Sequence, residues 1–276
     1  MSYKIVVDSS ADLKELAGID FASAPLKIIT DVQEYVDDEN LDTAKMLADL
    51  KAYKGRSRSS CPNSEEWLCA FGEAEKIFCI TITSGLSGSY NAAGKAAKDY
   101  MAAHPDRRVH VIDSLSVGPE SALLAEKLTE LITAGEDFDS IVEKITDYNT
   151  HTRLIFALES MHNLANNGRV NPVVAKFAGL LGIRAVGRAS DVGTLEMTGK
   201  SRGAQNMVAD IVKNMLSEGF RGGKVRIHHA ENEPVANLLK EKILAAVPDA
   251  TVTVSKAGGL CCFYAEAGGV LVGFTV

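Results

Sequence analysis

The chain has 276 residues, 46% of them hydrophobic, and a formal net charge of -7. That length can bury the core of one large domain or two ordinary ones. The acidic balance, the 6% aromatic content and the lack of a basic run exclude a general nucleic-acid binder, and no apolar run approaches the roughly 20 residues of a membrane span. Met1-Ser2-Tyr3-Lys4 leads straight into a strand, so no secretory leader is expected. Cys61, Cys69, Cys79, Cys261 and Cys262 form no C-x-x-C pair, which predicts reduced thiols and a cytoplasmic protein.

Residues 4–8 form an apolar run that ends in Asp8 and read as a strand, followed by a short helix from Ser9. A second strand is expected over 25–29, with 33–36 returning beside it. Helical spacing of Leu41, Ala44, Leu47 and Ala48 predicts a helix over 41–53. Ser59-Ser60-Cys61-Pro62-Asn63 reads as a turn before a helix, with Glu66 in capping-box reach of Asn63. The run 77–82 is a buried strand. Thr83-Ser84-Gly85-Leu86-Ser87-Gly88-Ser89-Tyr90 is the turn after it, and a small-residue helix follows to Ala103. Residues 109–113 form another strand, ending in Asp113, and helices are expected over 119–133 and 138–148. Apolar strands alternating with helices imply a mostly parallel sheet covered on both faces.

The pattern changes near residue 150. A strand over 153–157 and a short helix over 160–166 lead to Asn167-Gly168-Arg169, a helix stop that would leave an arginine exposed. A small apolar helix is expected over 172–181 and a hairpin from 183–186 and 194–197. Beyond it come a helix over 202–217, strands over 225–230, 251–254 and 270–274, and a helix over 234–246. The reading is α/β, with two α/β domains: an N-terminal one over 1–155 with a mostly parallel sheet and a C-terminal one over 156–276 with a mixed sheet.

No catalytic motif is complete. Gly85-Leu86-Ser87-Gly88-Ser89 lacks the last glycine of G-x-S-x-G, and Gly219-Phe220-Arg221-Gly222-Gly223-Lys224 is out of register for a P-loop. His228 and His229 are adjacent in a strand and point to opposite faces, which fits a core histidine beside an exposed one. Asp8 and Asp113 end strands, where open α/β sheets hold ligands, yet either also serves as a helix cap. What remains is a set of hydroxyls. The turn at Thr83-Ser84-Gly85 and Ser87 would place free N–H groups and hydroxyls at a helix N-terminus, a place that holds a carboxylate or phosphate. Ser84 or Ser87 as a plain helix cap is the alternative. The Ser59-Ser60 turn would face it across the sheet edge, and Arg169 would add charge or lie free at the surface.

These residues resemble the DegV family of bacterial acyl-chain-binding proteins. Val7-Asp8-Ser9-Ser10-Ala11-Asp12-Leu13 is similar to the family's opening, and Pro25-Leu26 and Tyr35-Val36-Asp37 to its next two motifs. Ser59-Ser60-Cys61-Pro62-Asn63 resembles T-S-Q-P-S. The stretch from Thr83 to Tyr90 resembles S-S-x-L-S-G-T-Y. Ile112-Asp113-Ser114, Gly168-Arg169-Val170 and Lys200-Ser201-Arg202-Gly203 match further elements in the right order. The resemblance implies a long-chain fatty acid in a tunnel between the two domains and a fatty acid kinase as partner. It implies no catalytic residue, cofactor or metal. Its carboxylate would rest on Ser59, Ser60, Thr83, Ser84, Gly85 and Ser87, with Arg169 near the head group. The family's C-terminal histidine position is occupied by Tyr264, which either offers its hydroxyl to the head group or plugs the core. Small apolar residues such as Val173, Val174, Phe177 and Ala178 are expected along the tunnel. An enzyme clamping a carboxylated or phosphorylated small molecule is the alternative function, and a module acting only through partner contacts a third.

Overall fold

A computed structural model of the chain describes residues 2–175 and 182–276. Strand β1 (Tyr3–Asp8) and a single 3-10 turn (Ser9–Ala11) lead to β2 (Asp20–Ala24), β3 (Lys27–Ile29) and β4 (Glu34–Val36). Then come α1 (Thr43–Ala52), β5 (Arg58–Ser60), α2 (Ser64–Phe71), β6 (Lys76–Thr81), α3 (Ser89–Ala103) and β7 (Arg108–Asp113). Helices α4 (Pro119–Thr133) and α5 (Phe138–Thr150) precede β8 (Thr152–Leu158), α6 (His162–Asn166) and α7 (Pro172–Ala175). The chain ends with β9 (Ile183–Ala189), β10 (Leu195–Arg202), α8 (Ala204–Ser217), β11 (Gly223–His229), α9 (Glu233–Ala246), β12 (Ala250–Lys256), α10 (Gly259–Ala265) and β13 (Val270–Thr275).

Three sheets organise these elements. The first has the order β2-β1-β6-β7 and is parallel throughout. Its central strands bury both faces, so they read as unbroken apolar runs. Ile5, Val7, Phe78 and Ile80 pack on Leu124, Leu128 and Ile141 of α4 and α5. Val6, Ile77 and Cys79 pack on Trp67, Phe71 and Ala93 of α2 and α3. The second sheet, β10-β9-β8-β13-β11-β12, is mixed, with only β11 and β12 parallel. Along β8, Ile155 and Ala157 join the core under α8 and α9, whereas Leu154, Phe156 and Leu158 face the other way. A small antiparallel sheet, β4-β3-β5, packs Ile28 and Tyr35 into the same cluster as Leu154, Phe156 and Leu158.

Several local expectations change. Ser59 and Ser60 end strand β5, where Ser59 pairs with Ile28, so the turn itself begins at Cys61. Asn63 and Glu66 do form the capping box of α2. Helix α3 starts at Ser89 with Gly88 in the cap position; Ser87 Oγ accepts from the Ser89 N–H at 3.3 Å, whereas Ser84 takes no part in the helix start. His228 and His229 are both buried, because β11 lies inside the second sheet with helices on one face and α4 on the other. Of the apolar helix expected over 172–181, α7 accounts for the first four residues. Val173 is exposed rather than turned into a cavity. Phe177 and Ala178, and the side chain of Val174, lie outside what the structure describes.

Candidate functional site

The site is built around α10, a helix the sequence hides behind Gly258-Gly259. Its N-terminus is held by carboxylates from far along the chain. Asp37 accepts from the backbone N–H of Gly259 at 2.6 Å and of Leu260 at 2.9 Å, and Ser9 Oγ donates to it at 2.8 Å. Asp12 accepts from the Gly258 N–H at 2.8 Å and lies 2.8 Å from His228 Nδ1. Negative charge at a helix N-terminus offsets the dipole and satisfies first-turn donors. Burial pushes the Asp37 carboxyl up to about 6, against the donors that favour its charged form. So fixed, α10 sends Leu260, Cys261, Tyr264 and Ala265 into an apolar cavity.

That cavity lies between the second sheet and the β6–α3 turn, with about 680 Å³ of atom-free space counted out to its open side. Leu154, Phe156 and Leu158 of β8, Leu271 of β13 and Leu195 of β10 form one wall. Leu26, Ile82, Leu86, Val117 and Leu164 form much of the rest. Among the described residues its polar lining comes from Ser59, Ser87, Arg169 and Tyr264, all half-buried, whereas Leu154, Phe156, Leu158, Leu260 and Leu271 are buried. The Tyr264 hydroxyl and Ser59 Oγ share a hydrogen bond of 2.7 Å. Burial pushes the Tyr264 phenol above its ordinary range, so it stays neutral. The Arg169 guanidinium lies 6.0 Å from the centre of the Tyr264 ring. Its Nε donates to the Leu86 carbonyl at 3.3 Å, and it also bonds the Asn167 carbonyl. Arg169 is therefore anchored, not free at the surface.

The Thr83-Ser84-Gly85 turn faces elsewhere. Thr83 Oγ1 donates to the Gly193 carbonyl at 2.8 Å and accepts from the Gly85 N–H at 3.1 Å. The Ser84 N–H goes to Asp113 Oδ1 at 3.0 Å, the Leu86 N–H to the Thr83 carbonyl at 3.3 Å, and the Ser84 side chain is exposed. The turn's N–H groups thus have partners within the protein, and its surface docks on the tip of the β9–β10 hairpin. Gly85 suits that close approach, since a Cβ would stand 3.0 Å from the Gly193 carbonyl oxygen and press the hairpin tip back by a few tenths of an ångström. Ser60 is exposed, with its hydroxyl on the Cys61 carbonyl. Of the eight sequence-selected residues, the fold gathers Ser59, Ser87, Arg169 and Tyr264 at the cavity. Thr83, Ser84, Gly85 and Ser60 are not in its lining.

The two strand-end carboxylates are structural. Buried Asp8 accepts from Ile82 N–H at 2.9 Å, Ser89 Oγ at 2.6 Å and Ser10 Oγ at 2.5 Å, fixing the start of α3 against β1. Asp113 accepts from the Ser84 and Leu115 N–H groups. Sequence reading missed Asp12 and Asp37 as the anchors of α10. Both lie in the quoted motifs, but only the fold reveals the partner helix.

A family model described as "Uncharacterised protein, DegV family" matches residues 2–275. The chain belongs to the DegV family. A DegV domain-containing protein of Streptococcus pneumoniae is 41% identical over 280 residues, covering 100% of both chains. A DegV family structure from Eubacterium eligens, loaded with heptadecanoic acid, superposes with a TM-score of 0.98 at 44% identity, covering 100% of both chains. The Streptococcus pneumoniae Fatty Acid Kinase (Fak) B3 protein, loaded with linoleic acid, does so with a TM-score of 0.98 at 41% identity and the same coverage. Among the described residues of this DegV protein, no helix is long and apolar enough to cross a membrane.

Proposed function

We propose that this DegV protein binds one long-chain fatty acid, with its acyl chain in the apolar cavity and its carboxylate at the half-buried polar end. It presents that carboxylate to a fatty acid kinase and performs no catalytic step itself. The observation that carries the reading is the division of a single cavity lining. Two hydroxyls, a phenol and a guanidinium stand together, and the other described residues of the lining are almost wholly apolar. Such a lining suits both ends of an amphiphile. Each buried methylene contributes about 0.8 kcal/mol before ordering costs, so the chain supplies affinity and the polar end supplies orientation. The two neighbours above 40% identity that hold fatty acids support the same ligand class, and the name of the second supports the kinase.

In this reading Ser59, Ser87, Tyr264 and Arg169 contact the head group. The two-domain division follows function: the N-terminal part carries Ser59 and Ser87, and the C-terminal part carries most of the apolar wall. We draw the seam just before β8 rather than at the expected 155/156, since Thr152–Leu158 pairs along its length in the second sheet. Free thiols at all five cysteines fit a cytoplasmic setting. The alternative, an enzyme clamping a carboxylated or phosphorylated small molecule between the serine turns, loses support at the second turn, because the N–H donors of Ser84 and Gly85 are already engaged.

Native mass spectrometry of protein purified from cells, followed by extraction of bound lipid, tests the proposal. A fatty acid at one per chain is expected, and adding a fatty acid kinase with ATP should convert it to an acyl phosphate. Protein that is empty on purification and takes up no added fatty acid overturns the reading.

A further inference from the structure

Across the second sheet, Leu271 of β13 pairs with Phe156 of β8, and Phe156 pairs with Gly187 of β9. Directly paired residues point to the same face. Leu271, Phe156 and the absent side chain of Gly187 therefore share the cavity face. Glycine in a strand interior weakens the strand and packs nothing. Gly187 is buried, and its φ lies outside the left-handed region, so backbone conformation does not ask for glycine. Two neighbours do: the Phe156 ring and the backbone carbonyl of Glu196 on β10. A Cβ at 187 would stand 2.3 Å from Phe156 Cζ and 2.7 Å from its Cε2. The Phe156 ring thus lies along the sheet, over Gly187, in the space a side chain there would fill.

The geometry points to the Gly187–Phe156 pair as the specificity determinant of the acyl cavity: a lying ring keeps the floor low and admits longer or bent chains. The inference rests on the fatty-acid reading above and adds to it the residues that choose the chain. Interiors are close-packed, so moving one ring edge by the width of a methyl group changes what fits. With a side chain at 187, the ring must lift off the sheet, into the space an acyl chain would take. With a smaller side chain at 156, the floor drops.

The test measures displacement of a fluorescent fatty acid from delipidated protein. Competitors are saturated acids of rising length and a cis-unsaturated acid matched in length to one of them. Gly187→Ala should weaken binding of the longest and the cis-unsaturated chains about ten-fold while keeping the short saturated ones. Phe156→Leu should shift preference the opposite way, toward longer and bent chains. The Cβ at 187 would also meet the Glu196 carbonyl oxygen at 2.4 Å. Should that prevent folding, Phe156→Leu decides alone. A Phe156→Leu protein with the wild-type chain preference overturns the inference, as does a folded Gly187→Ala protein that loses all chains equally. Wild-type protein that binds no fatty acid overturns the functional reading first, which keeps the two failures distinct.

Discussion

Ser59 Oγ and the Tyr264 hydroxyl lie 2.7 Å apart although 205 positions separate them in the chain. An edge strand of the small sheet and a helix near the C-terminus thereby meet at the polar end of one cavity. Tyr264→Phe keeps the ring and removes that bond. A hydrogen bond to a charged group contributes about 1.5–3 kcal/mol, so affinity for a fatty acid should fall at least ten-fold. The alcohol or amide of the same chain should be less affected. Ser59→Ala in the Tyr264→Phe background should cost less than Ser59→Ala alone, because the two share a contact. Titration calorimetry on the four proteins checks this. Equal affinity of the Tyr and Phe forms for the free acid would assign Tyr264 to packing.

Ser84 and Ser87 separate a motif residue from a cavity residue. Ser87 lines the cavity, whereas the Ser84 side chain is exposed and its backbone N–H is held by Asp113. Ser87→Ala should weaken fatty acid binding about ten-fold, and Ser84→Ala should leave it within a factor of about two. The reverse ranking in a binding assay would show that the turn rolls over when ligand enters.

Arg169 is anchored on the Leu86 and Asn167 carbonyls and lies against the Tyr264 ring. A planar guanidinium holds that arrangement and an ammonium does not, so Arg169→Lys should resemble Arg169→Ala. A half-buried charge is screened less than a surface one. The loss of affinity should therefore be nearly the same in low and high salt. A loss that vanishes in high salt would return Arg169 to a steering role.

Glu120 supplies a pH test of stability. It is buried at the start of α4, with Thr152 Oγ1 donating to it at 2.7 Å, and burial pushes its carboxyl up to about 7. The folded value lies above the unfolded one of about 4.5, so the folded protein holds the proton more tightly between these pH values. The stability this contributes is full below about pH 4.5 and is lost as pH rises through 7. Glu120→Gln keeps an acceptor for Thr152 and cannot ionise. Denaturant titrations should show the variant more stable than wild type at pH 8 by on the order of 1–3 kcal/mol, with the gap closing toward pH 5. A gap that does not change with pH would refute the assignment.

The sequence by itself determined the parallel sheet, because β1 and β6 are buried on both faces and must be unbroken apolar runs. The capping box of α2 was equally local: Asn63 and Glu66 are three residues apart. The family was legible for the same reason, since its motifs are short and lie in order. Tertiary structure decided which motif residues face the cavity. Thr83, Ser84 and Gly85 have the composition of an anion-binding turn, but Gly193 and Asp113, distant in sequence, take up their hydrogen-bonding groups. Helix α10 was invisible because Gly258-Gly259 signals a turn, and its start depends on Asp12 and Asp37, more than 200 positions away. Arg169 follows a helix-ending glycine, which locally means exposure; only the folded chain lays it over Tyr264. Local patterns fix elements through hydrogen bonds a few residues apart, whereas the site is made of contacts between segments that the sequence keeps far apart.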